Sequence, residues 1–207
     1  MWIDITMPLR KNMPVWPDDT AFSYALDATY DEVGANVGRI TMGLHNGTHI
    51  DAPYHYDDFG KSIDALPLDL FNGLAQIVDV TNTRHITVQT LEALDLEHVE
   101  RLFFKTRKTQ APYIFNADFT TIDPAAVHYL AARGVRVIGT DAPSVDAVHA
   151  PLLAHEACRD THIIIIENLV LHHVEPNIYE FIGLPLAIAG ADASPIRAII
   201  RKHSKQE

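Results

Sequence analysis

Branched and aromatic residues recur along this chain in short runs separated by turn formers. Runs at residues 2–6, 37–44, 75–80, 101–105, 135–139, 162–166 and 180–189 predict strands, with 196–201 as the last. Helical signals lie between some of them. In the best of these, Asp123 is the N-cap, Pro124 takes the first helical position and Gly134 stands just past the end, enclosing residues 125–133. Two further helices are expected, from about Thr87 to Leu94 and from about Pro151 to Cys158. The resulting order, β-β-β-α-β-α-β-α-β-β, is neither a βαβ repeat nor all-β. It predicts a mixed α/β fold, a sheet or barrel with helices packed outside. No repeat, low-complexity tract or Gly/Ser linker marks a boundary, so the 207 residues are read as one domain, 1–207.

Composition narrows the function. With 47% hydrophobic residues the chain can bury a substantial core, and no apolar run approaches the roughly 20 residues needed to span a bilayer. A net charge of −11 without any Lys/Arg run argues against a nucleic-acid partner, because such affinity rests on cationic contacts. The start, Met1-Trp2-Ile3-Asp4-Ile5, lacks the basic stretch and apolar core of a signal peptide, which points to a cytoplasmic protein with no membrane partner. The single Cys158 excludes an intrachain disulfide and a zinc-thiolate motif and reads as a small apolar filler in a helix. Histidine is the unusual component: twelve in all, three of them between positions 45 and 55.

That segment, His45-Asn46-Gly47-Thr48-His49-Ile50-Asp51-Ala52-Pro53-Tyr54-His55, carries the chemistry. Gly47 inside it and Pro53 near its end oppose a helix. As extended chain, it puts His49 and Asp51 about 7 Å apart at the backbone on one face, close enough to share an ion. His45 would be about 13 Å from His49 on a straight strand, so the chain must fold back at Asn46-Gly47. His55 falls beyond Pro53, clear of the other three, where it can act on substrate. Two imidazoles and a carboxylate leave room for water, as in a catalytic zinc site.

More distant candidates are weaker on their own. Glu167 follows the run Ile163-Ile164-Ile165-Ile166 and is either a buried carboxylate that needs a cation or a side chain emerging into solvent. His155 reads as a surface histidine on a helix. Trp16, in a Pro-flanked loop, is either a flat face for an aromatic ligand or a core residue. Ser144 lacks the Gly-x-Ser-x-Gly elbow of a nucleophilic serine, and Pro143 suits a turn. Asp192 and Ser194-Pro195 read as a turn before the last strand, His172-His173 as a polar loop, and Phe103-Phe104 as core.

The string His45-x-Gly47-Thr48-His49-x-Asp51-x-Pro53-x-His55 resembles the signature of the cyclase-like metal hydrolases, and more closely that of their bacterial formamidase branch, which acts on kynurenine derivatives. Blocks around Pro14-Val15-Trp16-Pro17, Asn36-Val37-Gly38-Arg39-Ile40, Gly139-Thr140-Asp141-Ala142-Pro143 and Gly190-Ala191-Asp192-Ala193-Ser194-Pro195 extend the resemblance over nearly the whole length. It implies a swivelling β/β/α fold, a barrel-like mixed sheet with outer helices, and a homodimer. It further implies two divalent metal ions, taken as Zn2+. His45, His49 and Asp51 would hold one, with Asp51 bridging to a second on His155 and Glu167. His55 becomes the general acid/base and Trp16 lines the substrate pocket. The implied reaction is attack of metal-bound hydroxide on the formyl carbon of N-formyl-L-kynurenine, a small-molecule substrate, in tryptophan degradation. Hydrolysis of a cyclic amide such as isatin, or metal binding without catalysis, are the rival functions. The chain departs from the family twice, with Asp18 and Asn168 where glycine is usual.

Overall fold

The computed structural model describes residues 1–109 and 115–203. Among these, the strands are β1 (Ile3–Asp4), β2 (Ser23–Ala28), β3 (Val37–Thr41), β4 (His49–Asp51), β5 (Asn72–Asp79), β6 (His85–Ile86), β7 (Arg101–Lys105), β8 (Thr121–Ile122), β9 (Val137–Thr140), β10 (Ile164–Glu167), β11 (Asn177–Ile182), β12 (Ala193–Pro195) and β13 (Ile199–Lys202); the apolar runs account for β1, β3, β5, β7, β9, β10, β11 and β13. The helices are α1 (Tyr30–Val33), α2 (Val88–Glu92), α3 (Pro124–Ala131) and α4 (Leu153–Thr161). The mixed α/β expectation holds: nine strands form one curled sheet in the order β1-β13-β11-β5-β7-β9-β10-β4-β12. Its middle, β5-β7-β9-β10, is parallel, and the flanking pairs are antiparallel.

The parallel middle explains why its strands read as unbroken apolar runs, for they are buried on both faces. On β10, Ile164 and Ile166 join one core with Ile50, Phe103, Val137 and Phe181. Ile165, facing the other way, packs with Leu102, Phe104 and Ile138 beneath Val127 and Leu130 of α3 and Ala157 and Cys158 of α4. Each such side chain contributes about 1.5–3 kcal/mol when fully buried. The period of two continues one step further and aims Glu167 to the helix-covered face.

Helix α3 starts as its caps predict, with the Asp123 carboxylate accepting from the Ala125 amide at 2.8 Å. The strand expected over 180–189 ends instead at Ile182, where Gly183 and Pro185 break it; the chain leaves the sheet and re-enters as the short β12. The strand expected over 37–44 exists in part, as β3, but outside the main sheet. Among the described residues it pairs only with β2, an unforeseen partner, in a ribbon whose β3 residues are all exposed.

Candidate metal centre

The centre is built on strand register. Strand β4 runs antiparallel to β10 with His49 directly opposite Glu167 and Asp51 opposite Ile165. Residues two apart on a strand share a face, and directly opposed residues share it too. His49, Asp51 and Glu167 therefore meet on the side covered by α4, which supplies His155. Upstream, the turn through Asn46-Gly47 folds the chain back as its composition requires. The Asn46 amide donates to the Gly43 carbonyl at 3.2 Å, Gly47 takes a left-handed φ of 69°, and the His45 and His49 rings come within 4.9 Å. Thr48 locks the two ligand strands in place: its hydroxyl donates to the Asn168 carbonyl at 2.6 Å and accepts from the Met7 amide at 2.7 Å.

The predicted metal residues converge. His45 Nδ1 lies 2.9 Å from Asp51 Oδ1, and His49 Nε2 lies 3.2 Å from the same oxygen. Glu167 faces two imidazoles, with Oε2 at 3.5 Å from His49 Nε2 and Oε1 at 3.9 Å from His155 Nε2. The second Asp51 oxygen is 3.8 Å from His155 Nε2. Both carboxylates thus stand between imidazoles. Among the described residues, His49 Nε2 and both Asp51 oxygens are buried without a hydrogen-bond partner. Orphaned buried groups of this kind cost about 1–3 kcal/mol each, more when charged, and a cation among them removes that cost. The donors are those of a borderline divalent ion.

Each imidazole has an acceptor on its far nitrogen. His49 Nδ1 donates to the Gly47 carbonyl at 2.9 Å, His155 Nδ1 to Asp146 at 2.7 Å, and His45 Nε2 to Asp192 at 2.9 Å. Such contacts orient each ring and leave its other nitrogen facing the cluster, where a cation that displaces its proton can take the lone pair. Sequence reasoning missed Asp146 and took Asp192 for a turn residue. It is in a turn, yet its carboxylate reaches a histidine 147 positions away. No sequence spacing could show that.

The electrostatics follow. Burial works against charging His155, but Asp146 and Asp51 outweigh it and push the imidazole up to about 10. Burial likewise opposes charging His45, and Asp51 with Asp192 overcomes it, raising the ring to about 9. Burial, then the Asp51 charge, push Glu167 up to about 7. Asp51 itself is held well below the usual range, because the surrounding imidazoles outweigh its burial.

Two independent expectations need correction. His155 is not a surface residue but almost fully buried, because it projects from α4 towards the sheet. His55 is not clear of the first three: a tight 3-10 turn over Pro53–His55 brings its ring to 4.0 Å from that of His45, with Nδ1 at 3.6 Å from Asp192. His45, His55 and Asp192 form the open side of the centre; the other members are buried. Glu167 turns out buried, not emerging into solvent. Trp16 lies in neither core and packs edge-on against Phe115, centroids 5.3 Å apart, and near Phe119. The Tyr56 hydroxyl, beside the His155 ring, is buried without a hydrogen-bond partner among the described residues. Ser144 donates to no base among the described contacts; its hydroxyl accepts from the Asp146 amide at 3.2 Å.

Both departures from the family's glycines fall where glycine is at ease. Asp18 has φ 71° and Asn168 has φ 55°, each left-handed.

Residues 3–147 match the family described as "Putative cyclase". A kynurenine formamidase of Bacillus cereus is 43% identical over 202 residues, 97% of each chain, and that of Geobacillus thermodenitrificans is 43% identical over 203. Among solved structures, a potential metal-dependent hydrolase with cyclase activity superposes with a TM-score of 0.85 at 28% identity, covering 98% of this chain and 99% of that one. Isatin hydrolase A of Labrenzia aggregata shares the fold, with a TM-score of 0.84 at 24% identity over 97% and 93% of the two chains.

Proposed function

The chain belongs to the Cyclase family, and from that premise we propose that it hydrolyses N-formyl-L-kynurenine to L-kynurenine and formate, as one domain over residues 1–207 that holds two zinc ions. The observation that carries this is the set of orphaned buried donors, His49 Nε2 with both Asp51 oxygens, in a chain 43% identical to a kynurenine formamidase. His45, His49 and Asp51 would hold one ion, and His155 with Glu167 the second, Asp51 being shared between them. Glu167 faces both His49 and His155, which supports a role toward either ion. Bound there, divalent ions supply Lewis acidity and bring the pKa of water down to about 7.

The protein's own groups do the rest. Water's oxygen adds to the formyl carbon, the C–N bond breaks, and a proton must reach the departing arylamine nitrogen. His55, on the open side, is the group that delivers it. Burial and the neighbouring His45 and His155 hold its ring below the usual imidazole range, against the pull of Asp51 and Asp192, so that at neutral pH the ring is uncharged and able to take up the proton it then passes on. Trp16, backed by Phe115 and Phe119, offers a flat apolar face to the aromatic ring of the substrate.

A homodimer is supported by the β2–β3 ribbon, whose side chains Tyr24, Leu26 and Ile40 remain 61%, 45% and 57% exposed. A cytoplasmic setting is part of the same proposal; no helix among the described residues is long and apolar enough to cross a membrane. The test couples metal analysis to hydrolysis of N-formylkynurenine, with isatin beside it. Two zinc ions per chain and release of formate support the reading; turnover of isatin alone, or bound metal with neither activity, overturns it.

A further inference from the structure

We infer that Asp192 is a positioning residue that ties the ligand His45 to the proton-transfer residue His55 through one carboxylate oxygen. The inference rests on the reading above for the roles of those two histidines. Asp192 Oδ2 lies 2.9 Å from His45 Nε2 and 3.6 Å from His55 Nδ1. A carboxylate only accepts, so without a cation His45 points an N–H at each carboxylate; a cation taken up beside Asp51, 2.9 Å from Nδ1, displaces that hydrogen, while the Nε2 hydrogen stays on Asp192. The ring thus spans two carboxylates, one on each nitrogen, and can give only the Asp51-facing nitrogen to a cation.

The geometry distinguishes Asp192 from the other two acceptors. Gly47 and Asp146 each serve one buried imidazole, whereas Asp192 stands half-exposed at the open side and serves two. Its backbone is fixed independently: the Ala52 amide donates to the Asp192 carbonyl at 2.9 Å, beside β4, and the left-handed Gly190 turns the chain two residues earlier. The side chain is therefore presented from a held position on the same strand edge as the ligands. Losing the carboxylate frees His45 to flip tautomer and lets the His55 ring turn away from the substrate.

Two variants test this. In Asp192→Ala, zinc affinity measured by chelator competition falls about 10–100-fold, the range for loss of a carboxylate behind a ligating histidine. At saturating zinc, kcat falls with KM nearly unchanged, since neither role touches bound substrate. Asp192→Asn keeps an accepting oxygen and should return zinc affinity to within a few-fold of the parent. Its kcat stays low, because a neutral amide orients an imidazole less strongly than a carboxylate. Nitrogen-15 spectra of the zinc-loaded protein should show His45 as the Nε2–H form in the parent and a tautomer mixture in Asp192→Ala. Zinc affinity and tautomer unchanged in Asp192→Ala would overturn the inference, as would an Asn variant no better than Ala in zinc affinity. The zinc and tautomer readings need no substrate, so a parent inactive on N-formylkynurenine sinks the formamidase reading and leaves this one standing on its own data.

Discussion

The Asp146 carboxylate accepts from His155 three residues into the same groups that start α4: Oδ2 takes the His155 ring at 2.7 Å and the His155 amide at 3.1 Å, while both oxygens take the Ala154 amide. One side chain therefore both begins the helix and aims its ligand. Asp146→Ala should lose zinc affinity about 10–100-fold and lower the melting temperature as well, having left buried amides unpaired. Asp146→Asn keeps most of the stability and less of the affinity. Calorimetric melts with zinc titration separate the two; full affinity in the Ala variant would refute the coupling.

Stripped of metal by a chelator, the protein should lose stability as pH rises. The folded-state values of Glu167, about 7, His45, about 9, and His155, about 10, all lie above their ordinary ones. A raised value stabilises below the unfolded pKa, and the contribution disappears as pH climbs through the folded one. The Glu167 share therefore fades between about pH 4.5 and 7 and the histidine shares between about pH 6.5 and 10. Asp51, held low, contributes throughout this window. Zinc displaces the same protons, so its affinity should rise over the range in which the metal-free protein weakens. Melts at about pH 6 and about pH 9, with and without zinc, would expose a wrong sign at once.

Thr48→Val should cost about 1–3 kcal/mol, because it removes a hydroxyl that satisfies both the Met7 amide and the Asn168 carbonyl in a buried position. Urea unfolding of the metal-free protein measures it; a loss under ~0.5 kcal/mol would mean that water takes over both contacts.

Asn168, left-handed and next to Glu167, tolerates its conformation better than most residues. Asn168→Ala should destabilise by about 1 kcal/mol and Asn168→Gly by much less, or not at all. An Ala variant as stable as the parent, judged by chemical denaturation, would show that the backbone relaxes there.

Much of the candidate site was legible because its residues obey local rules. The His49-x-Asp51 alternation and the Asn46-Gly47 bend need only strand period and turn chemistry, and both appear as β4 and the turn before it. The two distant candidates, His155 and Glu167, became legible only through family resemblance, since their burial depends on which face β10 and α4 present to the sheet. Asp146 and Asp192 were illegible: their roles exist only as hydrogen bonds made in the folded chain, to a histidine nine residues away for Asp146 and 147 away for Asp192. The same holds for the fold. Strands of the parallel middle announced themselves as apolar runs, whereas β12, three residues long, and β2, with mixed composition, are defined by their partners.

The groups that gather at His45 come from opposite ends of the chain, and the link to Asp192 spans 147 positions. Contacts of such long separation are the slowest to form, because loop closure must precede them. Uptake of the ion should thus report the final step of maturation: a nascent chain stalled short of β12, or one nicked between α4 and Asp192, can be compact and still lack its full grip on the cation.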